Sequence, residues 1–491
     1  MQLRELCRDI GRLEAAGDGV LEIGRVDHDS RSVNQSSLFM ALAGRHTSGH
    51  KYVTQAIERG AVAIGIEEGS ERPSQAPAVV WFKSARKDMA TLASRVVQNP
   101  QSKMKIVAVT GTNGKTSVTT ILHGILKKAD VKSGLIGTIS TQIGDHILPT
   151  EMTTPESTDL YRLLQQMYEA SVDVVCMEYS SVGIEEHRVD CTSPKLAIYL
   201  NLTQDHLDYH GTMAAYGEAK AKLFTEHLAA GGIALISIDD EFGRGLYDQI
   251  KKERSDVACL SVSVVHEKAD VVGALTVSSH GISGTVQIDE ARLHVNSPLL
   301  GQFNCQNVTM AIAAARCLGI SESDITSGVL ECSIPGRLEQ IQLPSGTKVV
   351  VDYAHTPEAL ASALDALRPL TQGRLICVFG CGGDRDAGKR PLMGSAASRA
   401  DLVMITSDNP RWESATAIID GILPGLESTV ESLVEVDRRQ AIENALNLAQ
   451  PNDLVLIAGK GHEAYQEIEG VRRPFSDRQC VQEWQMGGRA V

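Results

Sequence analysis

Gly111-Thr112-Asn113-Gly114-Lys115-Thr116-Ser117 has the residue types and spacing to handle phosphate. A glycine turn that opens a helix points backbone N–H groups at an anion. Lys115 adds positive charge for β- and γ-phosphates, and the Thr116 hydroxyl can ligate Mg²⁺. The usual phosphate-loop spacing asks for glycine where this chain has Val109. Glu178 closes the apolar run Asp173-Val174-Val175-Cys176-Met177. An acid at the carboxyl edge of a parallel sheet can hold Mg²⁺ beside a triphosphate, or it is simply a strand-end surface acid. Thr203-Gln204-Asp205-His206-Leu207-Asp208-Tyr209-His210-Gly211 crowds metal-capable groups after another apolar run, without zinc spacing. By composition alone, Lys220 reads as a solvated helix lysine. Ser30 and Arg31 suit a phosphate or sugar, or a turn cap. Asn304 and Asn307 suit an adenine edge, or the cap of a helix running to Leu318.

These groups need elements to carry them. Ile106-Val107-Ala108-Val109 reads as a buried strand, and Val118, Ile121, Leu122, Ile125 and Leu126 fall on one helix face. Further apolar runs at 349–351, 375–379, 402–405 and 454–458 each end in a charged or glycine-rich loop. Parallel strands would gather those loops at one edge, where ligands bind. The N-terminal part predicts strands at 37–42, 61–66 and 78–82, a loop at 44–50 and a helix from Tyr52 to Arg59. The expected fold is α/β in three domains: residues 1–98 a smaller α/β unit, 99–332 a phosphate-loop domain with a mostly parallel sheet and helices on both faces, and 333–491 a Rossmann-like unit.

With 491 residues, the chain is too long for one core. Its net charge of −14 argues against nucleic acid as the main partner. Ten cysteines without framework spacing suit reduced thiols in the cytoplasm. There is no signal-peptide core at the N-terminus and no run of membrane-spanning length.

Taken together, Gly111–Thr116, Glu178-Tyr179-Ser180-Ser181, Asn201–Gly211, Glu218-Ala219-Lys220, Gly336-Arg337-Leu338-Glu339 and Asp352–Pro357 resemble the Mur ligase family of peptidoglycan synthesis over nearly the whole chain. The resemblance is strongest to the branch that adds the third residue. It implies one domain each for UDP-sugar, ATP and an incoming amino acid. It also implies an acyl phosphate made from ATP and UDP-MurNAc-L-Ala-D-Glu, then attacked by an amine. On family positions, Gly111, Thr112, Asn113, Gly114, Lys115, Thr116, Ser117, Asn304, Arg337 and Asp352 would bind ATP. Thr116, Glu178, His206 and Lys220 would hold Mg²⁺, Lys220 as a carbamate formed with CO₂. Lys115, Lys220 and His206 would be catalytic. Ser30, Thr153, Thr154, Ser180, Glu186 and Arg188 would contact the UDP-dipeptide. Met152, Val182 and Glu186 depart from a common asparagine, histidine and glutamine.

Asp408-Asn409-Pro410-Arg411 matches the version that takes meso-diaminopimelate, with Arg385, Gly459 and Glu463 on positions for the same ligand. A guanidinium can grip the distal carboxylate bidentately, whereas it would repel a bare lysine ammonium. The implied protein is a cytoplasmic monomer. Rival readings are a lysine-adding sibling, a folylpolyglutamate synthase-like ligase, and a nucleotide-binding scaffold without ligase activity.

Overall fold

The computed structural model describes residues 1–15, 21–44, 48–150 and 152–487. The middle of the loop expected at 44–50, residues 45–47, lies outside the described residues. Two compact units are present. One comprises Met1–Val272, Ile288–Glu290 and Thr309–Ile325; the other comprises Gly273–Gln287, Ala291–Val308 and Thr326–Val491.

The first unit contains two sheets. The N-terminal sheet orders Gly11–Ala15, Ala78–Phe82, Ala63–Glu67, Ser37–Met40 and Arg25–Asp27. All neighbours are parallel except the edge strand Gly11–Ala15. Successive strand side chains face opposite ways. Leu38, Met40, Val80 and Phe82 therefore pack on Met89 and Leu92 of the helix Ala85–Val96. Phe39, Ile64, Val79 and Trp81 pack on Val53 and Ala56 on the other face. Burial on both faces is why these strands read as continuous apolar runs.

The larger sheet is built around Lys105–Thr110. Val174–Glu178 and Leu196–Tyr199 flank it in parallel. Ser133–Ile136 lies beyond one neighbour, and Ile233–Ser237 then Ala258–Ser263 lie beyond the other, all parallel. A small antiparallel hairpin, Thr141–Ile143 with His146–Leu148, continues from Ser133–Ile136. Glu178 pairs opposite Val109, and Tyr199 opposite Thr110. This register brings three strand-end loops to one rim. The helix Lys115–Lys128 buries Val118, Ile121, Leu122, Ile125 and Leu126, as the spacing predicts. Within this unit Arg162 donates to the buried Asp27 carboxylate at 2.9 Å, and Arg86 pairs with Glu156 at 3.1 Å.

In the second unit the sheet runs Glu339–Gln342, Lys348–Asp352, Leu454–Ala458, Leu375–Phe379, Leu402–Ile405, Glu431–Val434. Only the first pairing is antiparallel. Val350, Cys377, Phe379, Val403 and Leu456 face Leu360, Leu364, Met393 and Ile418. Val349, Val351, Ile376, Val378 and Ile457 face Ala441, Ile442, Cys480 and Val481. Helices thus cover both faces. The carboxyl ends release Asp352, Gly380–Asp386, Thr406–Trp412 and Gly459–Glu463 to one edge. An antiparallel hairpin, Tyr465–Ile468 with Val471–Pro474, follows. No helix among the described residues is long and apolar enough to cross a membrane.

Candidate active site

Gly114 stands at φ +88° immediately before the helix Lys115–Lys128, a conformation that favours glycine. A Cβ at Gly111 would lie 2.8 Å from that of Leu200, so the loop passes close over the neighbouring strand end. It is tied there by Thr112 N–H to the Asn201 carbonyl and Asn113 N–H to the Asn201 side chain, both at 2.9 Å. The Lys115 ammonium folds back to donate to the Gly111 and Thr112 carbonyls at 2.7 and 3.0 Å.

Glu178 is buried and faces this loop. Its carboxylate accepts from the Thr116 hydroxyl at 3.1 Å, the Thr138 N–H at 2.8 Å and the Thr138 hydroxyl at 3.0 Å. Gly137 leaves room for it, since a Cβ there would collide with Glu178 Oε1. Thr138 gave no sign in the sequence; its role depends on a loop that returns beside the strand end.

Lys220 is not solvated. It is 1% exposed on the helix Met213–Lys222, its ammonium donates to the Gly111 carbonyl at 3.0 Å, and it lies 4.0 Å over the Tyr216 ring. A carbonyl and an aromatic face replace water there. Burial, and secondarily Lys115, hold its pKa well below the ordinary lysine range. Tyr216, absent from the sequence-based site, is a shared plate: the His206 and His210 rings lie 6.0 and 5.0 Å from it. His206 is exposed, at φ +50°, with Nε2 3.6 Å from Asp205. Ser117 is buried in the first turn after the loop.

The donors fit a hard cation. Thr116 and Glu178 offer oxygen, and their hydroxyl and carboxylate already touch. Among the described residues no group of three or more His, Cys, Asp or Glu gathers to cage a metal. That donor set suits Mg²⁺, which keeps water and substrate phosphate in its shell.

The UDP-dipeptide candidates mostly cluster behind Glu178. Thr154 donates to the Glu178 carbonyl and accepts from Ser180 N–H, both at 3.0 Å. The Ser180 hydroxyl caps the short helix Ser181–Glu185 through Gly183 N–H. Thr153 and Thr138 hydroxyls lie 3.0 Å apart. Arg188 pairs with Glu156 at 3.0 Å and donates to the Thr154 carbonyl at 3.1 Å. Glu186 forms an ion pair with Arg86 at 3.0 Å and accepts from the Tyr209 hydroxyl at 2.8 Å. Ser30 lies apart, on the N-terminal sheet side, donating to Gln55 at 2.7 Å.

In the second unit Asp352 is buried and accepts from the N–H groups of Leu338 and Ala354 at 2.7 and 2.8 Å. Burial raises its pKa against the pull of Arg337, whose guanidinium lies 4.9 Å over the Tyr353 ring. Asn304 is fully buried and turned into its own helix start, donating to the Leu300 carbonyl at 2.7 Å and accepting from Asn307 at 2.8 Å.

The Asp408–Arg411 loop is held from two sides. Arg411 stands at φ +54°, its N–H donates to the Glu467 carbonyl at 3.0 Å, and its own carbonyl accepts from Glu469 N–H at 2.6 Å. Its guanidinium donates to the Gly383 carbonyl at 2.5 Å. A Cβ on Gly382 would lie 3.1 Å from Arg411 Nη1 and 3.9 Å from Arg385 Cγ, so the two arginines flank one glycine. Pro410 runs against Gly383, whose N–H donates to the Asn409 carbonyl. Asp408 crosses above Gly459, where a Cβ would come within 2.7 Å of its Oδ2. Asn409 Nδ2 donates to Glu463 Oε2 at 2.9 Å. The arrangement offers guanidinium for a carboxylate and carboxylate for an amine within one loop cluster. Lys460, inside the same charged loop but not singled out by sequence, proves fully buried there.

Three family models match in succession: Mur ligase family, catalytic domain, at residues 22–99; Mur ligase middle domain at 109–315; and Mur ligase, glutamate ligase domain, at 336–461. A UDP-N-acetylmuramoyl-L-alanyl-D-glutamate–2,6-diaminopimelate ligase of Geobacter metallireducens is 41% identical, with 98% of each chain covered. A solved structure of a ligase with that same name is 32% identical over all of both chains, with a TM-score of 0.72. The MurF ligase of Thermotoga maritima, solved in complex with ADP, shares the fold at 18% identity, 95% of this chain and 98% of that one, with a TM-score of 0.62.

Proposed function

The chain belongs to the Mur ligase family, and we infer that it is an ATP-dependent ligase joining meso-diaminopimelate to UDP-MurNAc-L-Ala-D-Glu in peptidoglycan precursor synthesis. The observation that carries the choice of amino acid is Arg411, pinned through backbone and side chain beside Arg385 and the Asn409–Glu463 pair. A distal carboxylate meets two guanidiniums, and the neighbouring amine meets Glu463.

In this reading, residues 1–98 hold the UDP-sugar, 99–332 the ATP and 333–491 the amino acid. The N–H groups of Gly111–Ser117 and the ammonium of Lys115 hold the triphosphate. The γ-phosphoryl group passes to the D-glutamyl γ-carboxylate, giving an acyl phosphate and ADP. The amine then attacks that carbonyl carbon, loses a proton, and expels inorganic phosphate. Thr116 and Glu178 would hold Mg²⁺, with His206 and Lys220 as further ligands; bound there, the ion would offset the crowded negative charge. Arg337 and Asp352 hold the nucleotide, and Thr153, Thr154, Ser180 and Arg188 the UDP-dipeptide. A buried lysine with depressed pKa presents the neutral amine that adds CO₂, with loss of one proton, to give an anionic carbamate. The enzyme acts as a cytoplasmic monomer.

The test is ADP release by the purified chain with ATP, UDP-dipeptide and one candidate amino acid at a time. Release only with meso-diaminopimelate supports the reading. Preference for L-lysine or glutamate, or hydrolysis indifferent to both acceptor and amino acid, overturns it.

A further inference from the structure

A second buried lysine sits in the amino-acid site. Lys460 has no exposed surface, yet it follows the glycine at the strand end Leu454–Ala458, at the rim of the sheet. Its ammonium donates to Asn409 Oδ1 at 3.0 Å and to Glu463 Oε2 at 2.9 Å. Asn409 Nδ2 donates to the same Glu463 oxygen at 2.9 Å, which closes a triangle. Glu467 N–H supplies a further bond to Asn409 Oδ1, also at 2.9 Å. The Tyr465 ring, 5.4 Å from the ammonium, covers it.

The triangle uses one side of Glu463. Oε2 accepts two hydrogen bonds, whereas Oε1 accepts none among the described residues, and the side chain keeps 19% exposure. One oxygen is therefore anchored and the other is presented. The same ammonium fixes the amide of Asn409, so that Oδ1 faces inward and Nδ2 faces Glu463. Charge-assisted hydrogen bonds of this kind are short and directional, and they lock a carboxylate that would otherwise sample several rotamers.

We propose that Lys460 is a positioning residue for the amino-acid substrate: it holds Glu463 and Asn409 in the one orientation that presents a carboxylate oxygen to the ligand's distal amine. This rests on the assignment of meso-diaminopimelate above. Lys460 itself faces protein on every side.

The experiment is a kinetic cycle on the intact enzyme with wild type, Lys460→Met, Glu463→Gln and the double variant, using meso-diaminopimelate as the varied substrate. Lys460→Met is expected to raise the diaminopimelate KM roughly tenfold or more, the worth of one charge-assisted bond. The ATP KM and the kcat at saturating diaminopimelate should stay within about twofold, since those report other groups. In the Glu463→Gln background the same lysine change should add less than about twofold, because its partner is already gone. An unmoved diaminopimelate KM, a parallel rise in the ATP KM, or independent multiplication of the two effects overturns the proposal. If Lys460→Met fails to fold, the double variant removes both charges together, and its comparison with Glu463→Gln alone decides the matter. Failure of the underlying assignment looks different: wild type would then show no diaminopimelate-dependent ADP release at all.

Discussion

Two lysines are buried at two sheet rims, and their neighbours differ. In the first unit Lys220 meets a carbonyl, an aromatic face and a second lysine. In the second unit Lys460 meets a carboxylate and an amide oxygen. Both are as buried as core leucines, so burial alone does not say what a lysine is for. At Lys220 burial, and secondarily Lys115, outweigh the opposing pull of Asp205 and favour the neutral amine. Lys460 instead joins two hydrogen-bond acceptors, the geometry of a clamp. In the reading proposed above, the first rim serves chemistry on the side chain and the second holds other side chains still.

The largest expected effect breaks the first half of that contrast. Lys220→Ala should lower kcat by at least about a hundredfold, the scale of losing one preorganised electrostatic group, with partial rescue by added short carboxylates in the ADP-release assay. Full activity would show that Lys220 is only a packing group. Next, Arg411→Ala should raise the diaminopimelate KM by roughly ten- to a hundredfold and leave the ATP KM alone. Equal loss of both would mark the loop as structural.

Stability sharpens the contrast. Glu463→Gln removes the counter-charge from the buried Lys460 and should cost up to about 3 kcal/mol in denaturant unfolding, whereas Lys220→Met should be close to neutral. The pH dependence has a definite sign. Lys220 binds its proton more weakly folded than unfolded. Between that depressed value and the ordinary lysine value of about 10.4, the unfolded chain holds more protons, so this group makes stability rise with pH. Lys220→Met should flatten the rise; an unchanged slope from neutral pH upward would show that the amine is not neutral. The smallest effect concerns Glu186, already matched by Arg86 and Tyr209. Glu186→Gln should change the UDP-dipeptide KM by less than about fivefold, the scale of a single partly exposed ion pair.

The strands of the N-terminal sheet and of the second unit's sheet were readable because each sheet is covered on two faces, which turns each strand into an unbroken apolar run. The phosphate loop was readable because strand, glycine turn and helix lie within one short stretch. Lys220 was not readable from its own helix. Ala219, Leu223 and Phe224 mark the inward face, but the carbonyl that receives the ammonium lies 109 residues away. Lys460 has the same difficulty, its amide partner being 51 residues distant. A glycine-flanked lysine looks like a surface turn until the Asp408–Arg411 loop closes over it. The hairpin Tyr465–Pro474 has no counterpart in the sequence reading; in it Gln466 pairs across from Arg473 and Glu467 across from Arg472. Likeness to a family pointed to the residues; only the fold showed how each is held.

Arg411 adopts a left-handed backbone and is stitched to the hairpin through both its amide and its carbonyl. Most residues pay about 1 kcal/mol or more to stand there, while asparagine and glycine do so readily. Retargeting this enzyme to another amino acid is therefore a graft rather than a point change. An engineer who swaps the guanidinium for a smaller group inherits a left-handed position tied to the hairpin on both sides, and would do better to transplant the hairpin with it.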